Sequence, residues 1–219
     1  MPEAERAPSS PSTASAPAVG LSAATKVFGS KVALDAVDLT VAAGTFCVLL
    51  GPSGSGKTTL LRCVAGIERI TSGQVTIGGR VVADGKLHLP PDQRELAMVF
   101  QDYALWPHLS VERNVAFALR RRHLPRPEVD KRTRQMLERV GLGALAGRYP
   151  NELSGGEQQR SALARAMVAS TGLLLFDEPL SNLDADLRER LRLEIATLTR
   201  DSGATSLYIT HDQAEAFAL

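Results

Sequence analysis

Two short stretches of this chain carry residues whose types and spacing could do chemistry together. The first is Gly51-Pro52-Ser53-Gly54-Ser55-Gly56-Lys57-Thr58-Thr59, of the form G-x-x-x-x-G-K-[ST], set between an apolar run and a segment of helical spacing. Glycines let such a loop wrap closely, so its backbone N–H groups point inward at phosphate oxygens. The helix that follows turns the positive end of its dipole toward the same anion. Lys57 is then placed to reach the β- and γ-phosphates of a nucleotide, and the Thr58 hydroxyl to ligate Mg²⁺. Taken alone, the loop says what is bound and not what the energy is used for.

The second stretch is Leu173-Leu174-Leu175-Phe176-Asp177-Glu178, an apolar strand ending in two acids. Buried strands seldom finish in adjacent carboxylates unless these face a site at the sheet's carboxyl edge. Asp177 is placed to hold Mg²⁺, directly or through water, and Glu178 to polarise an attacking water as general base. By itself the pair also reads as a solvated strand end before a turn at Pro179. A third stretch, Leu153-Ser154-Gly155-Gly156, precedes a helix. It forms a second anion-binding N-terminus, or only a cap.

The elements that must position these groups show as short apolar runs. Strands are expected over 21–27 and 37–41, with a turn at Phe28-Gly29-Ser30 between them. The unbroken run Thr45–Leu50 predicts a fully buried parallel strand. Helical spacing follows over 57–67. Residues 74–77 and 80–83 flank Gly78-Gly79 as a hairpin, and 96–100 is another short strand. From 111 to about 147 the pattern is helical and arginine-rich, interrupted by Pro125 and Pro127. A helix over 154–167, a strand over 173–176, a helix over 185–200 and a strand over 206–210 complete the series. Strands alternating with helices predict an α/β fold, a parallel sheet with helices on both faces.

The bulk properties set bounds. A length of 219 residues suits one domain with a smaller subdomain. With 25 basic and 24 acidic residues the net charge is +1, which supplies no electrostatic reason for a nucleic-acid partner. Cys47 and Cys63 both sit in apolar runs and read as buried thiols in a reducing compartment. No stretch of 18 consecutive apolar residues occurs, so a partner would have to hold the chain at a membrane. Residues 1–18, rich in Pro, Ala and Ser without an apolar h-region, read as a disordered tail. The arginines around Arg120–Arg122 and Arg132–Arg134 read as a solvated helical face, with lipid or nucleic-acid contact as the alternative.

From Leu21 to Leu219 the sequence resembles the ABC ATPase family. Leu153-Ser154-Gly155-Gly156-Glu157-Gln158-Gln159-Arg160 is similar to its signature motif. The resemblance implies that Ser154, Gly155 and Gly156 close over the γ-phosphate held by a partner copy, so that two ATP molecules are sandwiched between two subunits. It implies a P-loop NTPase core with a parallel sheet, an N-terminal antiparallel β subdomain and an α-helical subdomain over about 101–160. Gln101 resembles the glutamine that contacts Mg²⁺ and water and senses the membrane subunit. Ser181-Asn182-Leu183-Asp184 resembles the loop that communicates across the dimer, with Asp184 near the nucleotide. His211 resembles the histidine that contacts the γ-phosphate, and Phe28 the aromatic that stacks on adenine.

Within the family, Tyr103–Val111 and His211–Ala216 look like importer ATPases, and the stretch around Leu89–Arg94 like iron(III) and polyamine members. The implied substrate and cofactor are ATP and Mg²⁺. The implied partners are a second ATPase subunit, transmembrane permease subunits and, indirectly, a substrate-binding protein, with no nucleic acid. The implied location is the cytoplasmic face of the inner membrane. Residues 102–120 would receive the permease, with Trp106 either an exposed anchor or part of the core. Such importers continue well past the histidine, whereas Leu219 follows His211 by eight residues, so a C-terminally truncated form is expected. An export ATPase, a soluble ATPase acting on nucleic acid or ribosomes, and an inactive regulatory subunit are the rival readings.

Overall fold

A computed structural model describes residues 18–219, so all of the expected N-terminal tail except Ala18 lies outside the described residues. The elements run β1 (Val19–Phe28), β2 (Lys31–Val41), β3 (Phe46–Leu50), α1 (Lys57–Ala65), β4 (Ser72–Ile77), β5 (Arg80–Ala83), β6 (Leu96–Val99), α2 (Val111–Phe117), α3 (Arg126–Arg139), α4 (Gly155–Val168), β7 (Leu173–Asp177), α5 (Ala185–Ser202), β8 (Thr205–Thr210) and α6 (Gln213–Ala218). No helix among the described residues is long and apolar enough to cross a membrane.

Four strands form a parallel sheet in the order β3-β8-β7-β6. Side chains alternate across a strand, and the sheet uses both faces. Leu174, Phe176 and Tyr208 enter a core shared with α2, α3, α4 and α5. Leu173, Leu175, Leu207 and Ile209 enter a second core shared with α1 and the other sheet. The apolar run Leu173–Phe176 of β7 follows from this two-sided burial, whereas β8 buries Thr205, Ser206 and Thr210 beside Leu207, Tyr208 and Ile209. Phe46, Tyr208 and Phe176 stack across β3, β8 and β7 with ring centroids 5.8 and 5.4 Å apart. Emptying such a site of its ring costs about 3–5 kcal/mol.

β3 departs from the expected full burial. Among the described residues it pairs only with β8, and Leu50 is 42% exposed. Cys47 on it is half-buried, while Cys63 on α1 is buried and its thiol pushed up to about 11, chiefly by desolvation.

The remaining strands form an antiparallel sheet in the order β2-β1-β4-β5. Gly78 and Gly79, with φ of 56° and 77°, turn β4 into β5, as a tight hairpin requires. β2 begins at Lys31, six residues before the expected Val37. Register shifts between β1 and β2 hide its first half, because bulges break the two-residue alternation that marks a strand. Side chains cover the freed backbone: Asp38 accepts from the Ala23 N–H at 2.8 Å, and Thr25 from the Ala36 N–H at 3.0 Å.

Pro125 and Pro127 separate α2 from α3 and lie at the start of α3, where a proline removes only a donor that would go unused. The short helix α6 was not expected. Asp212 caps it, accepting from the N–H groups of Ala214 and Glu215 at 2.8 and 3.2 Å.

Candidate active site

Strand order explains how residues more than a hundred positions apart meet. β8 lies between β3 and β7, with Leu50 opposite Thr210 and Asp177 opposite Ile209. The loop after β3, Asp177 and Glu178 at the end of β7, and His211 after β8 therefore share the carboxyl edge of the sheet. Ligands bind at that edge in open α/β sheets.

The glycine-rich loop is exposed from Pro52 to Ser55, while Gly51 and Gly56 to Thr59 are half-buried. Gly56 has φ +92°, and a Cβ there would lie 2.5 Å from the Ala33 carbonyl oxygen on β2. Only glycine suits both the backbone and this close approach. Lys57 folds back over the loop and donates to the carbonyls of Gly51 (2.7 Å) and Pro52 (2.8 Å), with the Ser55 hydroxyl at 3.3 Å. The ammonium thus spans the concavity where a phosphate would sit.

In the first turn of α1, the Thr58 hydroxyl donates to Asp177 Oδ1 at 2.9 Å. Asp177 is 4% exposed. Burial raises its pKa, opposed by the Thr58 hydrogen bond and the charges of Arg62 and Lys57. A buried carboxylate and a hydroxyl that converge beside a phosphate loop fit Mg²⁺, which takes one or two protein oxygens and completes its shell with phosphates and water. No cluster of three or more His, Cys, Asp or Glu forms an all-protein cage among the described residues.

Glu178 has φ +46°, a left-handed conformation that costs a non-glycine residue about 1–3 kcal/mol and clusters at functional sites. Its N–H donates to the Ile209 carbonyl at 3.2 Å, and its own carbonyl accepts from the Ser181 hydroxyl at 3.0 Å. The strained residue is thereby pinned to β8 on one side and to the following loop on the other. Its Oε2 lies 2.9 Å from His211 Nδ1, with His211 half-exposed.

Sequence reasoning missed the support behind His211. Glu215 on α6 is buried and accepts from the hydroxyls of Tyr208 and Thr210. Burial, and then Glu215, push the Tyr208 phenol well above its ordinary range. Arg188 on α5 pairs with Asp212 at 3.5 Å. The spacing of Asp212 and Glu215, an N-cap and its third helical residue, was the available signal.

The other expected residues lie around this cluster. Gln101 is exposed after β6, and its carbonyl accepts from Asn182 Nδ2 at 3.1 Å. Phe28 is exposed at the end of β1, with the Lys26 ammonium 4.4 Å from its ring centroid. Ser154 caps α4, its N–H and hydroxyl donating to Glu157 Oε2 at 2.7 and 2.8 Å. Asp184 caps α5 by accepting from the Leu187 N–H at 2.9 Å. Gly155 and Gly156 pack on Leu183 and Leu187, where added Cβ atoms would stand 3.3 and 3.0 Å from side-chain carbons. Among the described residues, no hydrogen bond joins Ser154–Gly156 to the loop, Asp177, Glu178 or His211 of the same chain. Trp106 is exposed, its ring 5.6 Å from that of Phe117. A cavity of about 470 Å³ lies at the amino ends of β7 and β8, lined by Gly172, Leu173 and Thr205, away from this chemistry.

The phosphate loop, the metal-suited pair and the strained carboxylate on a parallel sheet define a P-loop nucleotide site. A family model described as ABC transporter matches residues 34–181. The chain belongs to the ABC transporter family.

Over 191 residues the chain is 53% identical to the sn-glycerol-3-phosphate import ATP-binding protein UgpC of Rhodopseudomonas palustris, covering 87% of this chain and 51% of that one. It is 51% identical to the trehalose/maltose import ATP-binding protein MalK of Thermococcus litoralis, covering 89% and 53%. It is 50% identical to the Fe(3+) ions import ATP-binding protein FbpC of Pasteurella multocida, covering 89% and 55%. The chain therefore spans about half the length of the curated relatives it matches. A dimeric ATP-binding cassette solved in a post-hydrolysis state with ADP and Pi superposes with a TM-score of 0.77 at 32% identity, covering 90% of each chain.

Proposed function

We propose that this chain is the ATP-binding and ATP-hydrolysing part of an ABC importer subunit, held by permease subunits at the cytoplasmic face of a bacterial inner membrane. The observation that carries this reading is the meeting of Lys57, Thr58, Asp177, Glu178 and His211 at one sheet edge. Names of relatives at 50–53% identity, all import ATP-binding proteins, supply the direction of transport. Those names cover glycerol phosphate, sugars and ferric iron, and an ATPase does not touch the solute. The reading toward iron(III) or polyamine has FbpC beside it and no pocket chemistry, so the proposal names the importer class.

Two copies bind two ATP molecules, each held by one glycine-rich loop and by Ser154–Gly156 of the other copy. The lack of any hydrogen bond from Ser154–Gly156 to its own chain's loop, and the dimeric cassette to which the chain is similar, support this pairing. Lys57 leaves the Gly51 and Pro52 carbonyls for the β- and γ-phosphates. Thr58 and Asp177 would hold Mg²⁺, which would supply positive charge against the phosphates. Glu178 takes the proton of the attacking water at its carboxylate, and His211 orients the γ-phosphate. Exposed Trp106 and Phe117 form the apolar face that receives the permease, and the substrate-binding protein acts through the permease alone.

The test is the solution mass of Glu178→Gln by light scattering, with and without MgATP, on this chain and on a form as long as its relatives. Doubling of mass with MgATP supports the sandwich. Tight ATP binding with no dimer in the longer form would leave the phosphate loop standing and sink the paired mechanism.

A further inference from the structure

The loop after β6 contains two consecutive left-handed residues that are not glycine, Tyr103 (φ 61°) and Ala104 (φ 43°). Such a conformation is unfavourable for a residue with a side chain and persists only where its surroundings dictate it. Here the dictating group comes from another element. Arg165, in the second half of α4, donates through Nη2 to the Tyr103 carbonyl at 2.8 Å and through Nη1 to the Ala104 carbonyl at 2.5 Å. A planar guanidinium can serve two neighbouring carbonyls at once, which a lysine ammonium cannot match. The guanidinium is largely withdrawn from water, and that desolvation lowers its pKa, opposed by Asp102.

Two further clamps act on the same loop. Asn182 holds the Gln101 carbonyl. Asn114 on α2, fully buried, accepts from the Trp106 N–H at 2.8 Å and donates to the Trp106 carbonyl at 3.1 Å. The segment from Gln101 to Trp106 is thus gripped from α4, from α2 and from the loop before α5.

We propose that Arg165 is a positioning residue, holding Tyr103 and Ala104 in the left-handed conformation and so setting where Gln101 stands against the nucleotide site. The same fork fastens this loop to α4, the helix that begins at Ser154–Gly156. A shift of the loop at Trp106 then moves with the segment that meets the partner's nucleotide. The consequence for turnover rests on the ATPase reading above; the consequence for the loop's conformation does not.

Trp106 is the only tryptophan in the chain and stands two residues beyond Ala104, so its fluorescence reports on this loop without any nucleotide. Arg165→Met keeps the apolar stem and removes the fork. In the folded variant, Trp106 emission should shift and its acrylamide quenching should rise by about twofold. ATP turnover should fall about tenfold, with KM for ATP within about twofold, because a positioning loss acts on the transition state. Arg165→Lys should restore part of both. Arg139→Met, which among the described residues loses the surface pair with Asp201, should change neither.

A folded Arg165→Met with native emission and quenching overturns the proposal. So does altered fluorescence with native turnover, which would cut the link to Gln101. If Arg165→Met does not fold, Arg165→Lys carries the same readouts, and native values in both would overturn it. Turnover is read on this chain and on a form as long as its relatives; should neither hydrolyse ATP, the functional reading fails, and the fluorescence still decides the loop.

Discussion

His211 Nδ1 lies 2.9 Å from Glu178 Oε2, which joins the residue after β8 to the residue after β7. These residues are 33 positions apart in sequence, yet their strands are neighbours in the sheet. The contact places a proton acceptor and a ring nitrogen side by side, with one face of the pair open to solvent.

Glu178→Gln keeps the size and a hydrogen-bonding group toward His211 while removing the carboxylate proposed as the base. Turnover should fall about 10²- to 10⁴-fold, the range for loss of a general base, with ATP affinity retained. Phosphate release measured beside equilibrium nucleotide binding checks both halves; a normal rate would mean the base lies elsewhere.

Lys57→Ala removes the charge proposed to meet the phosphates. Binding of ATP should weaken about ten- to hundredfold, the equivalent of one lost charge-assisted hydrogen bond. Titration calorimetry reads this directly, and unchanged affinity would contradict the role given to Lys57.

The raised pKa of Asp177 fixes a sign for stability against pH. A carboxyl whose folded pKa lies above its unfolded one contributes stability that is complete at acid pH and lost as the pH rises through the folded value. Asp177→Asn escapes that loss. Without nucleotide, the variant should melt higher than the parent at neutral pH, and the gap should close on acidification below the carboxylate range. MgATP should raise the melting temperature of the parent and much less that of the variant. A variant that melts lower at neutral pH would show that the ionised carboxylate is a net stabiliser.

Gly56→Ala forces a Cβ against the Ala33 carbonyl in a backbone conformation that alanine disfavours. The cost should be about 1–3 kcal/mol, visible in urea unfolding, with ATP binding impaired as the loop shifts. Gly78→Ala, also at positive φ but with open space around it, should leave ATP binding intact, which separates backbone strain from the clash.

Replacing Glu215 by Gln turns a group that accepts from both Tyr208 and Thr210 into one whose amide must donate to one of them. The variant should lose about 1–3 kcal/mol. Calorimetry checks the loss, and a parallel fall in turnover would report the displacement of His211.

Much of this site could be read from the residues, for a physical reason. The glycine-rich loop and the acid pair are continuous in sequence, and each carries its strand and turn signals with it. The two-sided burial of β7 likewise leaves an unbroken apolar run, Leu173–Phe176. The first half of β2 was hidden because bulges spoil alternation. The half-exposure of β3 was hidden because an edge strand and an interior strand can share one apolar run. Arg165 and Asn114 gave no signal at all, since a side chain that serves loop backbone looks like any other polar residue on a helix. Asp212 and Glu215 were legible as a helix start and were passed over beside His211.

The fold-back of Lys57 onto the Gly51 and Pro52 carbonyls has a consequence for selectivity among ligands. The ammonium already satisfied by two dipoles exchanges them only for something more attractive, and a chain of anionic phosphates qualifies where a neutral nucleoside does not. On the proposed role of Lys57 the latch would respond to charge: adenosine should leave it closed, and ADP and ATP should open it.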